Sequence, residues 1–512
     1  MTAKGCTARL LSARDAKTLD AEAVSWGFDP FALVEAVGRA CAHILAERFR
    51  DPLAGRVAVA AGSGNNGADA LVTLRALILE GMIRPESAAA VLTRPSPPGE
   101  RSPRARAVES LRALGVPVLV WGEAGSASAL AGAALILDGI AGTGLEGPLR
   151  GNSLEMARAV RGSMLVSIDM PSGLFDGWKA GMPLVHAAST LAIEPLKAAL
   201  YKPASRIAAG TIIPVGGIFP GTLAGRFEGP ELVGWEAARE RVAPVRSDAH
   251  KYGRGVVEIR AGSPGSAGAA CIAASGAAAA GAGLVRLLVD ESLYPVLGAA
   301  AIAGAPGVMV AVAGSPADDP ERFRPDAILL GPGWGRGGER LVPLEQTLEQ
   351  EARGIPVVLD ADALALVKGR SFQGNAILTP HTGEFIAYTG IPQEDILADP
   401  PPFLLETARK VRGIILFKSH VIYVASPDGR LGILDGMAPV LASGGSGDLL
   451  SGFCAALAAR QHAEGAPACD GYNCAIASAA LLLETARRIG RRFAGPLELA
   501  GVAASVAGEV WL

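Results

Sequence analysis

The sequence predicts two α/β domains, each built on a parallel sheet that is covered by helices on both faces. Short apolar runs recur along the chain, and stretches with helical spacing separate them. Continuous apolar strands of this kind are typical of parallel sheets, because both faces of the strand are buried. The runs are Val57–Ala61, Ala133–Leu137, Leu165–Ile168, Val256–Ala261, Val285–Val289, Ala327–Leu330, Val357–Leu359 and Ile414–Phe417.

A glycine-rich stretch interrupts this pattern near the middle of the chain. It spans Gly210–Gly229, and a charged, helix-like segment, Trp235–Arg241, follows it. We place the domain boundary near Leu223–Glu228, which gives a first domain of residues 1–222 and a second domain of residues 228–512. Each half then has more than about 200 residues, which is enough for a sheet and a core of its own.

Composition argues against several classes of protein. Of the 512 residues, 50% are hydrophobic and 19% are charged, as is typical of folded domains rather than disordered chains. The formal net charge of -3 and the lack of a long basic run argue against a nucleic-acid partner. The uncharged stretches Gly268–Val285 and Ser292–Ala317 are rich in alanine and glycine or interrupted by proline, so we expect no membrane span.

Cysteine usage and the first residues of the chain bear on its location. The six cysteines are scattered and form no C-x-x-C pair, which favours reduced, structural thiols over a zinc site. The opening residues lack the apolar core of a signal peptide. We therefore expect a cytoplasmic protein.

Three loops after predicted strands of the first half combine glycines with acidic or amide side chains. The motif G-S-G-N-N-G-A-D spans Gly62–Asp69 before a helical pattern at Leu71–Leu79, while D-G-I-A-G-T-G and D-M-P-S-G begin at Asp138 and Asp169. Such turns expose backbone N–H groups that suit phosphate, although each loop alone also fits a tight turn. Because ligands bind at the carboxyl ends of parallel strands, the three loops together predict one crevice whose aspartates bind a cation or transfer protons.

The second half repeats this arrangement, with its strongest motif at Ala442–Asp448. There, A-S-G-G-S-G-D opens a helical pattern. A glycine-rich turn at a helix N-terminus binds anions, and the aspartate is placed to take a proton from a substrate hydroxyl, as phosphoryl transfer requires. Other strand ends carry Gly331–Gly335, Asp360–Asp362, Leu378–Glu384, which includes His381, and Lys418.

The first-half motifs, taken in order, resemble the NAD(P)H-hydrate epimerase domain of bifunctional NAD(P)H-hydrate repair enzymes. The resemblance covers about residues 10–220 and implies a Rossmann-like three-layer fold. It also implies a potassium ion held by Asn66, Asp138 and Ser172, and Asp169 as the proton-transfer group at the hydrated carbon. The implied contacts to the hydrated cofactor are Asp169 together with Asn65, Asn66, Gly67, Ala68, Asp69, Gly142, Thr143, Gly144, Leu145, Glu146, Gly147 and Pro148.

The second half resembles the ADP-dependent NAD(P)H-hydrate dehydratase and by implication has a ribokinase-like fold. The matching motifs are H-K-x-G, G-A-A, G-P-G-x-G, D-A-D, L-T-P-H-x-G-E and G-S-G-D, between about Ala249 and Ala456. The resemblance implies that Asp448 is the base of a phosphorylation driven by ADP or ATP with Mg²⁺. It implies hydrate contacts at Ala269, Gly333, His381 and Asp448, and nucleotide contacts at Lys418, Ser419, His420, Val421, Ile422 and Gly447.

Together the two resemblances imply repair of hydrated NADH and NADPH, by epimerisation of the R and S hydrates and dehydration of the S hydrate. The implied partners are small molecules, and a homo-oligomer is compatible with the sequence. Two alternatives stay open: a ribokinase-like small-molecule kinase, and a nucleotide-binding sensor with reduced activity. The sensor is suggested by Ala68 and Ala70, where the family usually has glycines that avoid crowding the loop, and by Ser419, where it has another glycine.

Overall fold

The computed structural model describes residues 8–97, 99–160, 164–304, 307–318, 323–465, 470–490 and 493–511. The chain divides into two compact units, Ala8–Pro230 and Glu231–Leu512, just after the segment in which we predicted the boundary. In this described part of the chain, no helix is both long and apolar enough to cross a membrane. The cysteines Cys41, Cys271 and Cys454 carry free thiols, whereas Cys6 and Cys469 lie outside the described residues.

The first unit alternates strands with helices. Its strands are β1 Ala8–Arg9, β2 Val57–Ala61, β3 Ala88–Leu92, β4 Val118–Val120, β5 Leu135–Gly139, β6 Met164–Ile168, β7 Ser189–Ile193 and β8 Thr211–Val215. Its helices are α1 Ala13–Ser25, α2 Pro30–Arg48, α3 Arg50–Leu53, α4 Asn65–Leu79, α5 Pro103–Ala113, α6 Ser126–Ala131, α7 Gly151–Ala159, α8 Pro203–Arg206 and α9 Gly221–Ala224. Short 3₁₀ turns occupy Pro85–Ser87, Ala198–Tyr201 and Ile207–Ala209.

Seven of these strands form a parallel sheet in the order β4-β3-β2-β5-β6-β7-β8. Alternate residues of β2 enter different cores: Val57 and Val59 pack on one face, and Ala58 and Ala60 pack on the other. Both faces of the sheet are therefore buried, which explains the unbroken apolar run of this strand.

Three predicted bounds in this unit differ from the structure, and the smallest difference is that β6 begins at Met164 rather than at Leu165. The strand expected at Ala133–Leu137 is Leu135–Gly139, because the backbone N–H of Ala133 still closes a turn onto the carbonyl oxygen of Leu130 and pairing extends to Gly139 opposite Ala61. The helix expected from Leu71 begins at Asn65, so most of the glycine-rich motif forms its first turns rather than a loop.

The second unit contains the remaining elements. Its strands are β9 Glu231–Leu232, β10 Val256–Arg260, β11 Leu284–Val289, β12 Val308–Val312, β13 Ala327–Leu330, β14 Val357–Leu359, β15 Ala376–Leu378, β16 Ile414–Phe417, β17 Val421–Ala425 and β18 Leu431–Asp435. Its helices are α10 Trp235–Arg239, α11 Ala267–Ala279, α12 Tyr294–Gly304, α13 Leu341–Ala352, α14 Asp362–Leu366, α15 Thr382–Thr389, α16 Gln393–Ala398, α17 Pro400–Val411, α18 Ser446–Ala463, α19 Gly471–Ile489 and α20 Pro496–Val510. Its 3₁₀ turns are Glu291–Leu293, Gly338–Arg340 and Pro439–Leu441.

The sheet of the second unit has the order β9-β18-β17-β16-β15-β14-β13-β10-β11-β12. From β16 to β12 all neighbours are parallel, whereas β16, β17 and β18 pair antiparallel. The two parallel sheets confirm the predicted α/β class. The antiparallel extension was not predicted, and it begins at Val421 inside the segment that we had interpreted as a nucleotide loop.

Helices α11 and α18 pack with their backbones in close approach. An added methyl group at Gly276 would meet the backbone of Leu449, and one at Gly452 would overlap the carbonyl oxygen of Ala273. Glycine at these two positions lets the helix that carries Asp448 lie directly on α11.

We expect Gly452→Ala to lower the free energy of unfolding by about 1–3 kcal/mol, because the new methyl group forces the two helices apart. Urea unfolding of the full chain measures this change. A matched control is Gly501→Ala in α20, where nothing lies within 4 Å of the new methyl group. The control should raise stability by up to about 1 kcal/mol, since alanine favours helix over glycine. Equal urea midpoints of unfolding for Gly452→Ala and the parent chain would contradict the close packing of α11 against α18.

Candidate active sites

The three motif loops of the first unit lie side by side at one edge of the sheet. They follow β2, β5 and β6, which are adjacent strands with parallel register. A cavity of about 620 Å³ opens at this edge, a size in the usual range for small-molecule sites. The predicted residues Asn65, Asn66, Asp69, Gly142, Thr143, Gly144, Leu145, Pro148 and Asp169 line this cavity, whereas Gly67, Ala68, Glu146 and Gly147 do not.

Asp169 is held in a constrained position immediately after β6. Its φ of 66° is in the left-handed region, which residues other than glycine rarely adopt. The side chain is buried, and Oδ1 accepts a hydrogen bond of 2.6 Å from Nζ of Lys197, whose side chain is also buried. Nζ of Lys197 donates a second hydrogen bond, of 2.9 Å, to the carbonyl oxygen of Ile193. The carboxylate thus reaches the cavity in one fixed orientation.

Two further carboxyl groups share this cavity with the ion pair. Burial raises the pKa of Asp69 well above its usual value, and the charges of Asp169 and Asp20 act in the same direction. Burial also raises the pKa of Asp20, to about 6, although the ammonium group of Lys197 opposes the shift. Burial and the neighbouring carboxylates therefore favour the protonated form of Asp69, which lies beside the ion pair of Asp169 with Lys197.

Two of the predicted cation ligands, Asp138 and Ser172, are hydrogen-bonded to each other and do not line the cavity. Asp138 is fully buried, and its carboxylate accepts hydrogen bonds from Oγ of Ser167 at 2.7 Å and from the backbone N–H of Ser172 at 3.0 Å. Burial raises the pKa of Asp138, although these hydrogen bonds act against the shift. The hydroxyl group of Ser172 also donates to Asp138 and accepts from the backbone N–H of Ala141.

Asn66 is the third predicted cation ligand, and its side-chain amide is unsatisfied. Both amide atoms are buried, and neither has a hydrogen-bond partner within the described residues. A methyl group added at Gly142 would lie 2.9 Å from Cγ of Asn66 and 3.1 Å from Oδ2 of Asp169, so this loop passes directly over both side chains. A buried amide without a partner fits a bound ligand or ion, because an unpaired buried polar group is destabilising.

The two alanines that depart from the family pattern lie in the core. The side chains of Ala68 and Ala70 are fully buried in the cluster that covers one face of the sheet, and neither lines the cavity. The expected crowding of a ligand loop was therefore wrong, because these residues belong to α4. This placement removes one of the two reasons for the sensor hypothesis.

The second unit also gathers its motif residues at one edge of its sheet. Asp360, His381 and Lys418 follow the neighbouring parallel strands β14, β15 and β16. Nζ of Lys418 donates a hydrogen bond of 2.6 Å to Oδ1 of Asp360, which is almost fully buried. A methyl group added at Gly447 would lie 3.3 Å from the same Nζ, so the lysine also reaches the first turn of α18.

Burial and the charges around Lys418 determine the pKa of Asp448. Burial and then the charge of Asp360 raise the pKa of Asp448 to about 6, although the ammonium group of Lys418 opposes the shift. Burial would lower the pKa of Lys418, but the surrounding carboxylates, first Asp360 and then Glu384, outweigh it and raise that pKa. Lys418 is therefore a cation surrounded by Asp360, Glu384 and Asp448, next to the free N–H groups of a helix N-terminus.

The remaining predicted hydrate contacts of this unit occupy two places. Gly333 has a φ of 56°, and an added methyl group there would lie 3.1 Å from Cβ of Ala269, so these two residues are neighbours. His381 caps α15, because its Nδ1 accepts from the backbone N–H groups of Gly383 and Glu384 at 3.0 and 3.3 Å. Its Nε2 lies 3.4 Å from Oε1 of Glu384, and the side chain is 58% exposed to solvent.

The predicted nucleotide segment after Lys418 forms a tight turn and then a strand. Oγ of Ser419 accepts a hydrogen bond of 3.2 Å from the backbone N–H of Val421. Val421 and Ile422 lie in β17 with their side chains buried in the core, while Ser419 and His420 are half-buried in the turn. In this part of the segment, only the turn presents side chains that a nucleotide could reach.

Sequence reasoning missed three residues that the structure places in the sites. Lys197 follows β7, a strand that we did not identify, although a lysine after a strand end was a usable signal. Asp20 lies on α1 next to the buried positions Leu19 and Ala23. An acidic residue beside the apolar face of a helix was a second signal for a residue of the site. Glu384 was quoted only as part of a motif.

Comparisons with known proteins cover most of the chain and agree with one another. A family model described as "NAD(P)H-hydrate dehydratase" matches residues 257–494, and one described as "YjeF-related protein N-terminus" matches residues 30–199. The bifunctional NAD(P)H-hydrate repair enzyme of Gloeobacter violaceus is 32% identical over 477 residues, which cover 89% of this chain and 90% of the relative. That of Salinibacter ruber is 31% identical over 497 residues, which cover 89% and 87%.

A solved structure matches the second half. The ADP/ATP-dependent NAD(P)H-hydrate dehydratase from Bacillus subtilis, co-crystallised with ATP and Mg²⁺, is 25% identical and covers 55% of this chain and 99% of its own, with a TM-score of 0.46. The curated relatives span nearly all of the chain at more than 30% identity. The chain therefore belongs to the family of bifunctional NAD(P)H-hydrate repair enzymes, with an epimerase domain followed by a dehydratase domain.

Proposed function

We propose that Asp169 transfers the proton in the epimerase cavity and that Asp448 is the base of a nucleotide-dependent dehydration. The observation that carries this proposal is the same in both units. At the carboxyl edge of each sheet, buried and half-buried carboxyl groups cluster around a lysine that is paired with one of them, Lys197 with Asp169 or Lys418 with Asp360. Perturbed acidic groups of this kind, gathered where ligands bind, are typical of acid–base sites.

In the first unit, the cavity would hold the hydrated nicotinamide ring against Asp169. Epimerisation breaks the bond between the ring carbon and its hydroxyl group and then forms it again on the other face. The glycine-rich loop at Gly142–Pro148 and the first turn of α4 supply backbone N–H groups for the phosphates of the dinucleotide.

Three residues in and next to this cavity carry oxygen atoms of the kind that bind a potassium ion. Asn66, Asp138 and Ser172 would provide an amide oxygen, a carboxylate and a hydroxyl oxygen, which are the hard ligands that such a cation prefers. Its chemistry would be to balance the buried negative charge and to order the loops that carry these side chains. The unsatisfied amide of Asn66 supports this assignment.

In the second unit, Asp448 would remove the proton from the hydroxyl group of the S hydrate while that oxygen takes the terminal phosphoryl group of ADP or ATP, whose P–O bond breaks to release AMP or ADP. The phosphate then leaves with the former hydroxyl oxygen, a proton is lost from the adjacent ring carbon, and the ring double bond is restored. Lys418 and the N-terminus of α18 at Gly447 would neutralise the transferred group.

Mg²⁺ would be bound mainly through the nucleotide. Within the described residues, no group of three or more His, Cys, Asp or Glu side chains is arranged to hold a metal ion. Magnesium at phosphoryl-transfer sites usually takes one or two carboxylates together with substrate phosphates.

Recovery of the reduced nicotinamide absorbance tests the function. Purified full-length chain is mixed with the R and S hydrates of NADH, with ADP or ATP and Mg²⁺. We expect complete recovery with one of the two nucleotides, because the epimerase domain supplies the S form to the dehydratase domain. Recovery that stops at the S fraction would contradict epimerisation. Phosphorylated product without recovery would favour a small-molecule kinase, and nucleotide binding without reaction would favour a sensor.

Dehydration should also depend on pH through Asp448. A base acts in its ionised form, and the pKa of Asp448 is raised to about 6 by burial and by Asp360. We expect kcat/KM for dehydration to be constant above this pKa and to fall about tenfold for each pH unit below it. Steady-state rates on the S hydrate measure this profile. A rate that stays constant down to about pH 5 would contradict the role of Asp448 as the base.

A further inference from the structure

Asp20 is the carboxyl group of the epimerase cavity to which neither the sequence motifs nor the proposed mechanism assigns a role. It lies on α1, whose neighbouring residues Ala16, Leu19 and Ala23 are buried and fix this face of the helix. The side chain of Asp20 lines the cavity together with Asp169. The two carboxyl groups thus come from different elements, one from a helix before the sheet and one from the end of β6.

The carboxyl group of Asp20 is free to interact with a ligand. Across the described residues it makes no hydrogen bond and no ion pair, whereas Asp15 on the same helix accepts a 2.7 Å hydrogen bond from Oγ of Ser12. The ammonium group of Lys197 already donates hydrogen bonds to Asp169 and to the carbonyl oxygen of Ile193. Burial raises the pKa of Asp20 to about 6, so both of its protonation states are accessible near neutral pH.

Inversion at the hydrated carbon requires proton transfer on both faces of the ring. On one face, the hydroxyl group takes a proton and leaves as water, while the lone pair of the ring nitrogen forms a double bond to the carbon. On the other face, a water molecule adds to this carbon and gives up a proton. A single rigid carboxyl group such as Asp169, held by Lys197, faces only one side of a bound ring.

We propose that Asp20 is the second acid–base residue of the epimerase and serves the ring face opposite Asp169. When one carboxylic acid protonates the departing hydroxyl group, the other carboxylate accepts the proton of the incoming water. Each turnover leaves the two groups with their protonation states exchanged, which suits them to the reverse reaction. A proton must then return from one group to the other through solvent water before the same hydrate can react again. This inference rests on the proposed role of Asp169.

Heavy-oxygen water distinguishes this mechanism from a structural role of Asp20. Each pure hydrate of NADH is incubated with full-length Asp20→Asn in labelled water and without nucleotide, so that the dehydratase domain leaves the hydrates intact. Label uptake into the R and S forms and their interconversion are then measured separately. Asp169→Asn is examined in the same way, and Asp15→Asn is the matched control on α1, because Asp15 does not line the cavity.

We expect Asp20→Asn to lower epimerisation at least about a hundredfold. One hydrate should still exchange its hydroxyl oxygen with water, because Asp169 can expel and re-add water on its own face. Asp169→Asn should show the opposite selectivity, and Asp15→Asn should match the parent chain in both measurements.

Three outcomes would overturn the inference or the proposal beneath it. Normal epimerisation by Asp20→Asn would exclude Asp20 from proton transfer. A parallel loss of exchange into both hydrates would show that Asp20 only shapes the cavity. Normal epimerisation by Asp169→Asn would instead contradict the proposed function of the cavity, and the inference about Asp20 would fall with it.

Discussion

Replacing Asp448 with asparagine should lower the rate of dehydration about a thousandfold, within the range attributed to general acid–base catalysis. Asparagine keeps the shape of the side chain but cannot accept the proton of the substrate hydroxyl group. The change leaves the ion pair of Lys418 with Asp360 in place, so the anion-binding part of the site is preserved. The loss should therefore appear in kcat, while nucleotide affinity changes little.

The measurement is the recovery of nicotinamide absorbance from the S hydrate, with epimerisation assayed on the same preparation. Epimerisation should continue at the normal rate, which shows that the chain is folded and active in its first unit. Asp428→Asn is a matched control, because Asp428 lies in the exposed turn between β17 and β18. Dehydration at the parent rate by Asp448→Asn would show that another group is the base.

Replacing Asp169 with asparagine should have two large effects in the first unit. Epimerisation should fall about a thousandfold, because the proton-transfer group is lost. The free energy of unfolding should also fall by about 3–5 kcal/mol, because the ammonium group of Lys197 remains buried without its partner. Both side chains of this pair are about 95% buried, so solvent screens little of the effect.

A second substitution separates the two effects of Asp169→Asn. Adding Lys197→Met removes the unpaired charge and replaces it with an apolar side chain of similar length, so much of the lost stability should return. Epimerisation should stay low, because no carboxylate is restored. Thermal unfolding of both variants measures the change in stability, and the epimerase assay measures the change in rate. The dehydration rate of the same preparation is the internal reference. Recovery of epimerisation in the double variant would mean that Asp169 has only a structural role.

The parts of the fold that could be predicted are those with a strong local signal. Val57–Ala61, Ala327–Leu330, Val357–Leu359 and Ile414–Phe417 are strands with the predicted bounds, because each is an unbroken apolar run buried on both faces. The gathering of polar loops at one edge of each sheet was confirmed as well. It follows from a general property of parallel sheets, since the carboxyl ends of neighbouring strands share one edge.

The missed parts depend on contacts between distant segments. The strand Ser189–Ile193 carries hydroxyl side chains, and one of them, Thr190, is buried only because its Oγ1 donates a 2.7 Å hydrogen bond to the carbonyl oxygen of Ala209. Without that strand, Lys197 could not be placed beside Asp169. The pairing of β16 with β17 likewise depends on a turn at Ser419 that no apolar pattern predicts.

The glycine contact between α11 and α18 has a consequence for catalysis as well as for packing. Gly452 lies about one helical turn after Asp448, and a helix transmits a shift along its length with little deformation. A misplacement of about 1 Å in a reacting group can lower a rate about a hundredfold. The absence of a side chain at Gly452 thus helps to set the distance between Asp448 and the substrate hydroxyl group. A variant that folds with its two helices slightly separated would still bind its ligands but would have a lower kcat.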